Sequence, residues 1–148
     1  MDATYLLDTG PLGLLAHSNP KHRAPIEAWV RHIQASQGVV YVPEVTDFEL
    51  RRKLNHLVIT GRLQQERVER LDELTQHCPY LAVTTLMWKQ AAQFWAELRA
   101  KGLPSASDTS LDIDMLLAAQ TREVGGTIVT TNTKHFAHFC QVMTWPQP

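Results

Sequence analysis

Short apolar runs alternate along this chain with longer amphipathic stretches. Runs at residues 4–7, 39–42, 80–83 and 127–130 have the length and composition of buried strands, and residues 141–145 form a less apolar fifth run. Runs that are apolar throughout are typical of parallel strands covered on both faces. We therefore predict a small, mainly parallel sheet of roughly four to five strands.

Apolar residues with helical spacing fill the intervals between those strands. The segment 24–35 is typical, because its apolar positions i, i+3, i+4 and i+7 are Ile26, Trp29, Val30 and Ile33. Similar patterns predict a helical turn at 11–16 and helices at 45–54, 63–77, 85–101 and 111–120. Alternating strands and helices indicate an α/β fold with helices on both faces of the sheet. The length of 148 residues suits a single domain, residues 1–148.

An acidic residue ends the first apolar run. Asp8 follows Leu7 directly, and Gly10 and Pro11 then break the run. A carboxylate at the end of a buried strand is not there for packing, whereas α/β proteins bind ligands in the crevice beyond the carboxyl ends of their strands. Asp8 is therefore a candidate functional residue, with a turn-forming aspartate as the structural alternative.

A second acid is predicted to approach Asp8 from the helix after the second strand. Val45, Phe48 and Leu54 have helical spacing there, which places Phe48 in the buried face. Glu49 lies about 100° further round the helix, at the border of that face. Because this helix begins beyond the end of a strand, its first turns lie over the edge of the sheet, where Asp8 is expected.

Two more polar residues are expected at the same edge. Asp114 lies early in a predicted helix, and Asn132 follows the fourth strand. Asp112 and Asp114 are about 200° apart on a helix, so only one of them can face the site. We predict that Asp114 does, and that Asp112 is a helix cap, a partner of the helix dipole or a residue just outside the ligands. Asp47 is assigned to a cap or to the solvated surface, and Trp88 to the core or a dimer contact.

A cluster of carboxylates needs a counter-charge, because like charges disfavour each other's ionised forms. Mg²⁺ is suitable, since it binds carboxylate oxygens and retains several waters. Those waters and open positions are what metal-assisted hydrolysis of a phosphodiester requires. Arg51 and Arg52 lie two and three residues after Glu49, and one of them could bind a substrate phosphate; a solvated helix face is the alternative.

Composition narrows the possible functions. Hydrophobic residues make up 44% of the chain and charged residues 20%, as in ordinary globular proteins. The net charge of −1 gives no overall positive field, so nucleic-acid binding would need a local basic patch. The two cysteines lack metal-ligand spacing and are expected to be reduced, and no apolar stretch is long enough for a membrane span, so we predict a cytoplasmic protein.

Four segments together resemble the PIN-domain family, and within it the VapC-type ribonuclease toxins of bacterial toxin–antitoxin pairs. They are LLDTG at residues 6–10, ELRR at 49–52, DMLLAA at 114–119 and VTTNTKHF at 129–136. Asn132 lies 18 residues after Asp114, and the similarity extends from the first strand to Phe136.

The resemblance implies a three-layer α/β/α sandwich and an endoribonuclease that depends on Mg²⁺ or Mn²⁺. It implies that Asp8, Glu49 and Asp114 hold the metal, with Asn132 at a position where the family has either Asp or Asn. Thr9 and Thr130 match hydroxyl positions beside the acids and are expected to orient a carboxylate or a water. The implied partners are an RNA substrate, a small antitoxin protein and a second copy of the chain in a homodimer, with no membrane.

Other functions stay open at this point. The neutral Asn132 and the net charge of −1 are compatible with a catalytically weak PIN-like scaffold that binds RNA or a protein. Residues 7–10 also resemble the active-site triplet of retroviral-type aspartic proteases, but those are all-β dimers and this chain is mainly helical in pattern. A phosphatase of another α/β family is disfavoured, because no DxDxT motif follows the first strand.

Overall fold

The computed structural model describes residues 3–102, 108–133 and 135–146, with only the helical backbone of 108–110. Within these residues, five strands form one parallel sheet. They are β1 Thr4–Leu7, β2 Val39–Pro43, β3 Tyr80–Leu81, β4 Thr127–Thr130 and β5 Gln141–Thr144. The sheet order is β3-β2-β1-β4-β5, so the first strand is central. The predicted parallel sheet is confirmed.

Helices cover both faces of this sheet. They are α1 Thr9–Leu15, α2 Pro20–Ala35, α3 Glu44–Ile59, α4 Glu66–Leu74, α5 Thr85–Ala100 and α6 Asp108–Glu123, and a 3₁₀ helix spans Phe136–His138. Alternate residues of a strand face opposite sides. Leu6 accordingly packs into a core built with α5 and α6, and Leu7 into a core built with α1, α2 and α4. The predicted α/β/α sandwich is confirmed.

Three segments converge at the carboxyl end of β1. The hydroxyl of Thr46, in the first turn of α3, donates to the carbonyl oxygen of Leu7 at 2.9 Å. A Cβ atom at Gly10 would lie 3.0 Å from Thr131 Oγ1, so the first turn of α1 lies close to the loop after β4. The end of β1 is therefore surrounded by the starts of α1 and α3 and by the loop after β4.

Several element boundaries differ from the sequence prediction. Helix α2 begins at Pro20, not at 24, because the Asn19 side chain accepts a hydrogen bond from Lys21 N at 2.9 Å and caps it. Helix α4 covers less than the predicted 63–77, and α6 begins three residues before the predicted 111. Strand β3 ends at Leu81, because side chains from other elements bind the backbone there. Gln120 donates to Leu81 O at 2.7 Å, and Glu44 accepts from Val83 N at 3.0 Å.

The predicted buried face of α3 is wrong in two places. Phe48 is 56% exposed, whereas Asp47 is only 6% exposed. The row that faces inward is Asp47, Leu50 and Leu54, at positions i, i+3 and i+7. Asp47 is therefore neither a cap nor a solvated residue. Trp88, which was expected in the core or in a dimer contact, is 59% exposed and so does not lie in the core.

Asp47 is buried because Arg51 neutralises it. Arg51 Nε donates to Asp47 Oδ2 at 3.0 Å, and a second guanidinium nitrogen lies 2.7 Å from Asp72 Oδ1 on α4. The hydrogen bond to Asp47, followed by the one to Asp72, raises the pKa of Arg51 above its usual value. This arginine thus joins α3 to α4.

Both cysteines are free, as predicted. Cys78 is buried and Cys140 half-buried. Burial raises the pKa of both thiols, that of Cys140 to about 11, so both remain protonated and poorly nucleophilic near neutral pH. Among the described residues, none of the helices combines the length and apolar character that crossing a membrane would take.

We predict that Arg51→Ala lowers the free energy of unfolding by about 2–3 kcal/mol, because it leaves the buried carboxylate of Asp47 without its cation. The neighbouring Arg52→Ala, at an exposed position, should change it by less than about 0.5 kcal/mol. Urea unfolding followed by circular dichroism measures both values. Equal effects of the two substitutions would contradict this role for Arg51.

Candidate active site

Asp8 occupies the position between β1 and α1. It is 7% exposed and is the N-cap of α1. Its Oδ1 accepts from the backbone N–H of Thr9 at 2.8 Å, and its Oδ2 accepts from the hydroxyl of Thr130 at 2.7 Å. Each carboxylate oxygen thus has one protein donor, which fixes the orientation of the group and leaves further lone pairs for a ligand.

Glu49 is brought beside Asp8 by a single threonine. The backbone N–H of Thr9 binds Asp8, while its hydroxyl donates to Oε1 of Glu49. The Glu49 side chain is 15% exposed, and its Oε2 lies 3.9 Å from an Arg52 guanidinium nitrogen. The sequence argument that carried Glu49 towards Asp8 agrees with this arrangement, although it placed Phe48 on the wrong face.

Thr130 connects Asp8 to the loop after β4. Its side chain is fully buried. The hydroxyl has Asp8 Oδ2 at 2.7 Å and Asn132 O at 2.8 Å as acceptors, and it accepts from Asn132 N at 3.1 Å. Asn132 itself is exposed. The backbone of Asn132 is therefore held one hydroxyl away from the Asp8 carboxylate.

The two aspartates of α6 lie on different sides of the helix, as their spacing predicts. Asp114 is 3% exposed, on a helix that packs against α3 and β4. Asp112 is exposed. Because α6 begins at Asp108, Asp112 lies in the second turn of the helix, and the prediction that it caps the helix is wrong. Of the pair, only Asp114 is directed into the protein.

Arg51 and Arg52 differ in availability. Arg51 is bound to Asp47 and Asp72, as described above. Arg52 is exposed, with its guanidinium carbon 5.3 Å from the centre of the Phe48 ring and one nitrogen 3.9 Å from Glu49. If either arginine binds an anion at this site, the geometry favours Arg52.

An apolar groove beside these residues was not found by the sequence argument. It has a volume of about 570 Å³, and its lining includes Phe48, Trp88, Arg52, Asp112 and Ile113. Phe48 had been assigned to the buried face of α3 and Trp88 to the core or a dimer contact, because periodicity alone does not distinguish a buried apolar residue from an exposed one on the same helix. The groove places Asp112 among aromatic side chains.

The donors at the end of β1 have the chemistry that a divalent cation requires. Carboxylate and hydroxyl oxygens are hard ligands of the type preferred by Mg²⁺ and Mn²⁺. Over the described ranges, no group of three or more His, Cys, Asp or Glu side chains is arranged to hold a metal ion. Mg²⁺ is commonly bound through one or two carboxylates and retains several waters. Asp8 and Glu49 therefore fit a partly hydrated ion.

Solved structures with similar folds come from several bacteria. The VapBC2 complex of Rickettsia felis bound to a DNA fragment from its promoter contains a chain with a TM-score of 0.75 and 17% identity, covering 96% of this chain and 98% of that one. FitAcB from Neisseria gonorrhoeae gives a TM-score of 0.65 at 20% identity, with 94% and 96% covered. VapC20 of Mycobacterium tuberculosis, described as a sarcin-ricin loop cleaving toxin, gives 0.56 at 16% identity, with 84% and 86% covered.

At these identities the likeness is one of fold. No curated protein is similar enough in sequence to count as a match. A sequence model of the PIN domain family, however, matches residues 5–141, which include Asp8, Glu49, Asp114 and Asn132. The chain belongs to the PIN domain family.

Proposed function

We propose that this protein is an endoribonuclease that hydrolyses RNA phosphodiester bonds with Mg²⁺ or Mn²⁺, and that it is the toxin of a toxin–antitoxin pair. One observation carries the proposal: Thr9 binds the carboxylates of Asp8 and Glu49 together at the carboxyl end of the central strand. Two oriented carboxylates at this edge suit metal-assisted hydrolysis of a phosphate ester. Action on RNA and an antitoxin partner would place the protein in the cytoplasm.

The structural neighbours support the substrate and the partner. VapC20 of Mycobacterium tuberculosis is described as cleaving the sarcin-ricin loop, which makes RNA the substrate to test first. The Rickettsia felis and Neisseria gonorrhoeae structures are of VapBC2 and FitAcB. The resemblance to VapC-type toxins implies a small antitoxin partner and a homodimeric toxin, and we propose both.

The proposed ligands are Asp8, Glu49 and Asp114, with Asn132 at the exposed rim. Thr9 joins the first two, and in the described residues the three acids do not already form a metal-binding group. When bound, the metal would lower the pKa of a water and polarise the scissile phosphate. The Thr9 N–H and the Thr130 hydroxyl hold the Asp8 carboxylate in one orientation, so its free lone pairs are directed before a ligand arrives. Thr9 similarly holds one oxygen of Glu49, and Arg52 is near enough to offer a guanidinium to the phosphate.

A binding scaffold without activity is the second candidate. Asn132 supplies an amide where a fourth carboxylate would otherwise stand, and in the described part of the chain the acids do not form a closed metal cage. Fewer charged ligands weaken the hold on a cation and so favour RNA or protein binding without cleavage.

We predict that Asp8→Asn, Glu49→Gln and Asp114→Asn each reduce cleavage of a labelled mixed RNA pool by at least roughly 10²-fold, more than the ~10–100-fold loss typical of residues that support metal ligands. The exposed Asp112→Asn, on the same helix as Asp114, is the matched control and should retain activity. Reactions with Mg²⁺, Mn²⁺ or EDTA are compared on a gel. Full metal-dependent activity in Asp8→Asn would exclude the assignment.

We predict that saturating Mn²⁺ or Mg²⁺ raises the midpoint of thermal unfolding by about 5–10 °C, because an ion that binds only the folded state stabilises it by mass action. Asp8→Asn should abolish the shift. Asn132→Asp, which adds a carboxylate, should enlarge it. Differential scanning fluorimetry measures the shift without reference to activity, and an equal shift in Asp8→Asn would place the metal elsewhere.

We predict that Thr130→Val reduces the cleavage rate by about 10–100-fold, because the Asp8 carboxylate loses the donor that orients it. Thr130→Ser retains the hydroxyl and should stay near the wild-type rate. Comparing the two by single-turnover cleavage, after checking that both fold, separates the hydroxyl from the packing of the side chain. A loss in Thr130→Ser as large as in Thr130→Val would attribute the effect to packing.

A further inference from the structure

A group of basic residues lies at the corner between α1 and α2, at the opposite end of α1 from Asp8. His17 follows the C-cap of α1, and its ring centre is 4.7 Å from that of His22. Arg23 donates to the carbonyl oxygen of His17 at 2.7 Å. Arg23 is also paired with Glu27 at 2.7 Å, so its charge is compensated. The two histidines therefore form one side of this corner.

Helix α4 brings two arginines to the same corner. The Nε atoms of Arg67 and Arg70 are shielded from solvent and have no hydrogen-bond acceptor. Neither guanidinium forms an ion pair with an acid of the described ranges. Arg67 and Arg70 are three residues apart, on one face of α4, and both are only half-buried. A guanidinium has four further N–H donors besides Nε with which to bind an anion. Arg67 and Ser18 also line a shallow cavity of about 170 Å³.

The pKa of His17 reports on the charges that surround it. Desolvation is the main cause that lowers the pKa of His17, and the positive charges of Arg67, His22, Arg23 and Arg70 lower it further. A chain with a net charge of −1 thus carries a local positive field at this corner. Local basic patches of this kind attract phosphates.

We propose that this cationic corner, in which the charged Arg67 and Arg70 lie beside His17 and His22, binds the phosphate backbone of single-stranded RNA. The inference rests on the proposed function, because the same strand would reach the acids at the other end of α1. Guanidinium groups match phosphate oxygens in a planar, two-point geometry. The corner thereby adds a binding site for the RNA backbone outside the acidic centre.

The length of α1 sets the distance between the two sites. Asp8 caps its N-terminus, and His17 follows its C-cap after a helix of seven residues. Such a helix is about 10 Å long, which corresponds to on the order of three nucleotides at ~3.4 Å per nucleotide of a stacked strand. One RNA strand can therefore reach both sites, as a substrate of the proposed centre at Asp8 would have to.

The test is binding of a labelled 20-nucleotide RNA in EDTA, with the integrity of the RNA checked on a gel. In the double variant Arg67→Gln, Arg70→Gln, we expect a loss of affinity on the order of ten-fold and a salt slope smaller by about 1.4, since each phosphate contact to a single strand contributes ~0.7. Arg31→Gln, at an exposed position of α2, removes a charge elsewhere and should leave both values unchanged. Arg67→Lys, Arg70→Lys keeps the charges and should retain the slope.

Unchanged RNA affinity and slope in a folded double Gln variant would overturn the proposal. So would weakened binding of labelled polyglutamate with unchanged binding of RNA, because the corner would then be a site for an acidic protein. Cleavage distinguishes this inference from the proposed function. If the wild-type protein cuts no RNA but the double Gln variant binds RNA more weakly than the wild type, the ribonuclease proposal fails and the proposal for the corner stands. If the wild-type protein cuts RNA and the double Gln variant binds RNA as tightly as the wild type, only the proposal for the corner fails.

Discussion

The carboxylate of Asp8 is the interaction on which the candidate site depends. One of its oxygens is held by the first N–H of α1 and the other by a hydroxyl at the end of β4. The same threonine that donates from its backbone also holds Glu49, so α3 is tied to this point as well. A nearly buried carboxylate is stable only with such partners, and here its two donors come from separate elements, α1 and β4. The contacts that hold these elements together therefore also fix the position of the candidate site.

The sheet order explains why these elements meet. The chain proceeds from the central β1 to β2 and β3 on one side, and then crosses to β4 and β5 on the other. In parallel sheets, ligand crevices lie where two neighbouring strands have connections that lead to opposite sides of the sheet order, as β1 and β4 do here. Asp8 ends the strand at that position, so a single acid after an apolar run was an informative signal. The strands, their parallel arrangement and the approach of Glu49 to Asp8 could all be predicted from the sequence.

The remaining features depend on tertiary contacts that periodicity does not contain. Asp47 occupies an apolar row of α3 because Arg51 and, through it, Asp72 of another helix neutralise it. Phe48 and Trp88 have the character of core residues but lie on a groove that exists only when α3, α5 and α6 are assembled. The contacts of Thr9 are a similar case. Its position in the sequence suggested that it supports an acid, but only the folded structure brings Asp8 and Glu49 to the same threonine.

The span of the hydrogen bond between Thr130 and Asp8 has a consequence for synthesis of the protein. These two residues are 122 positions apart, and β4 enters the sheet beside a strand that is synthesised long before it. A nascent chain that ends before residue 130 already contains β1 and β2, yet its Asp8 lacks the donor that orients it. The ribosome must therefore deliver the chain as far as β4 before the centre can be assembled, however early Asp8 itself is made.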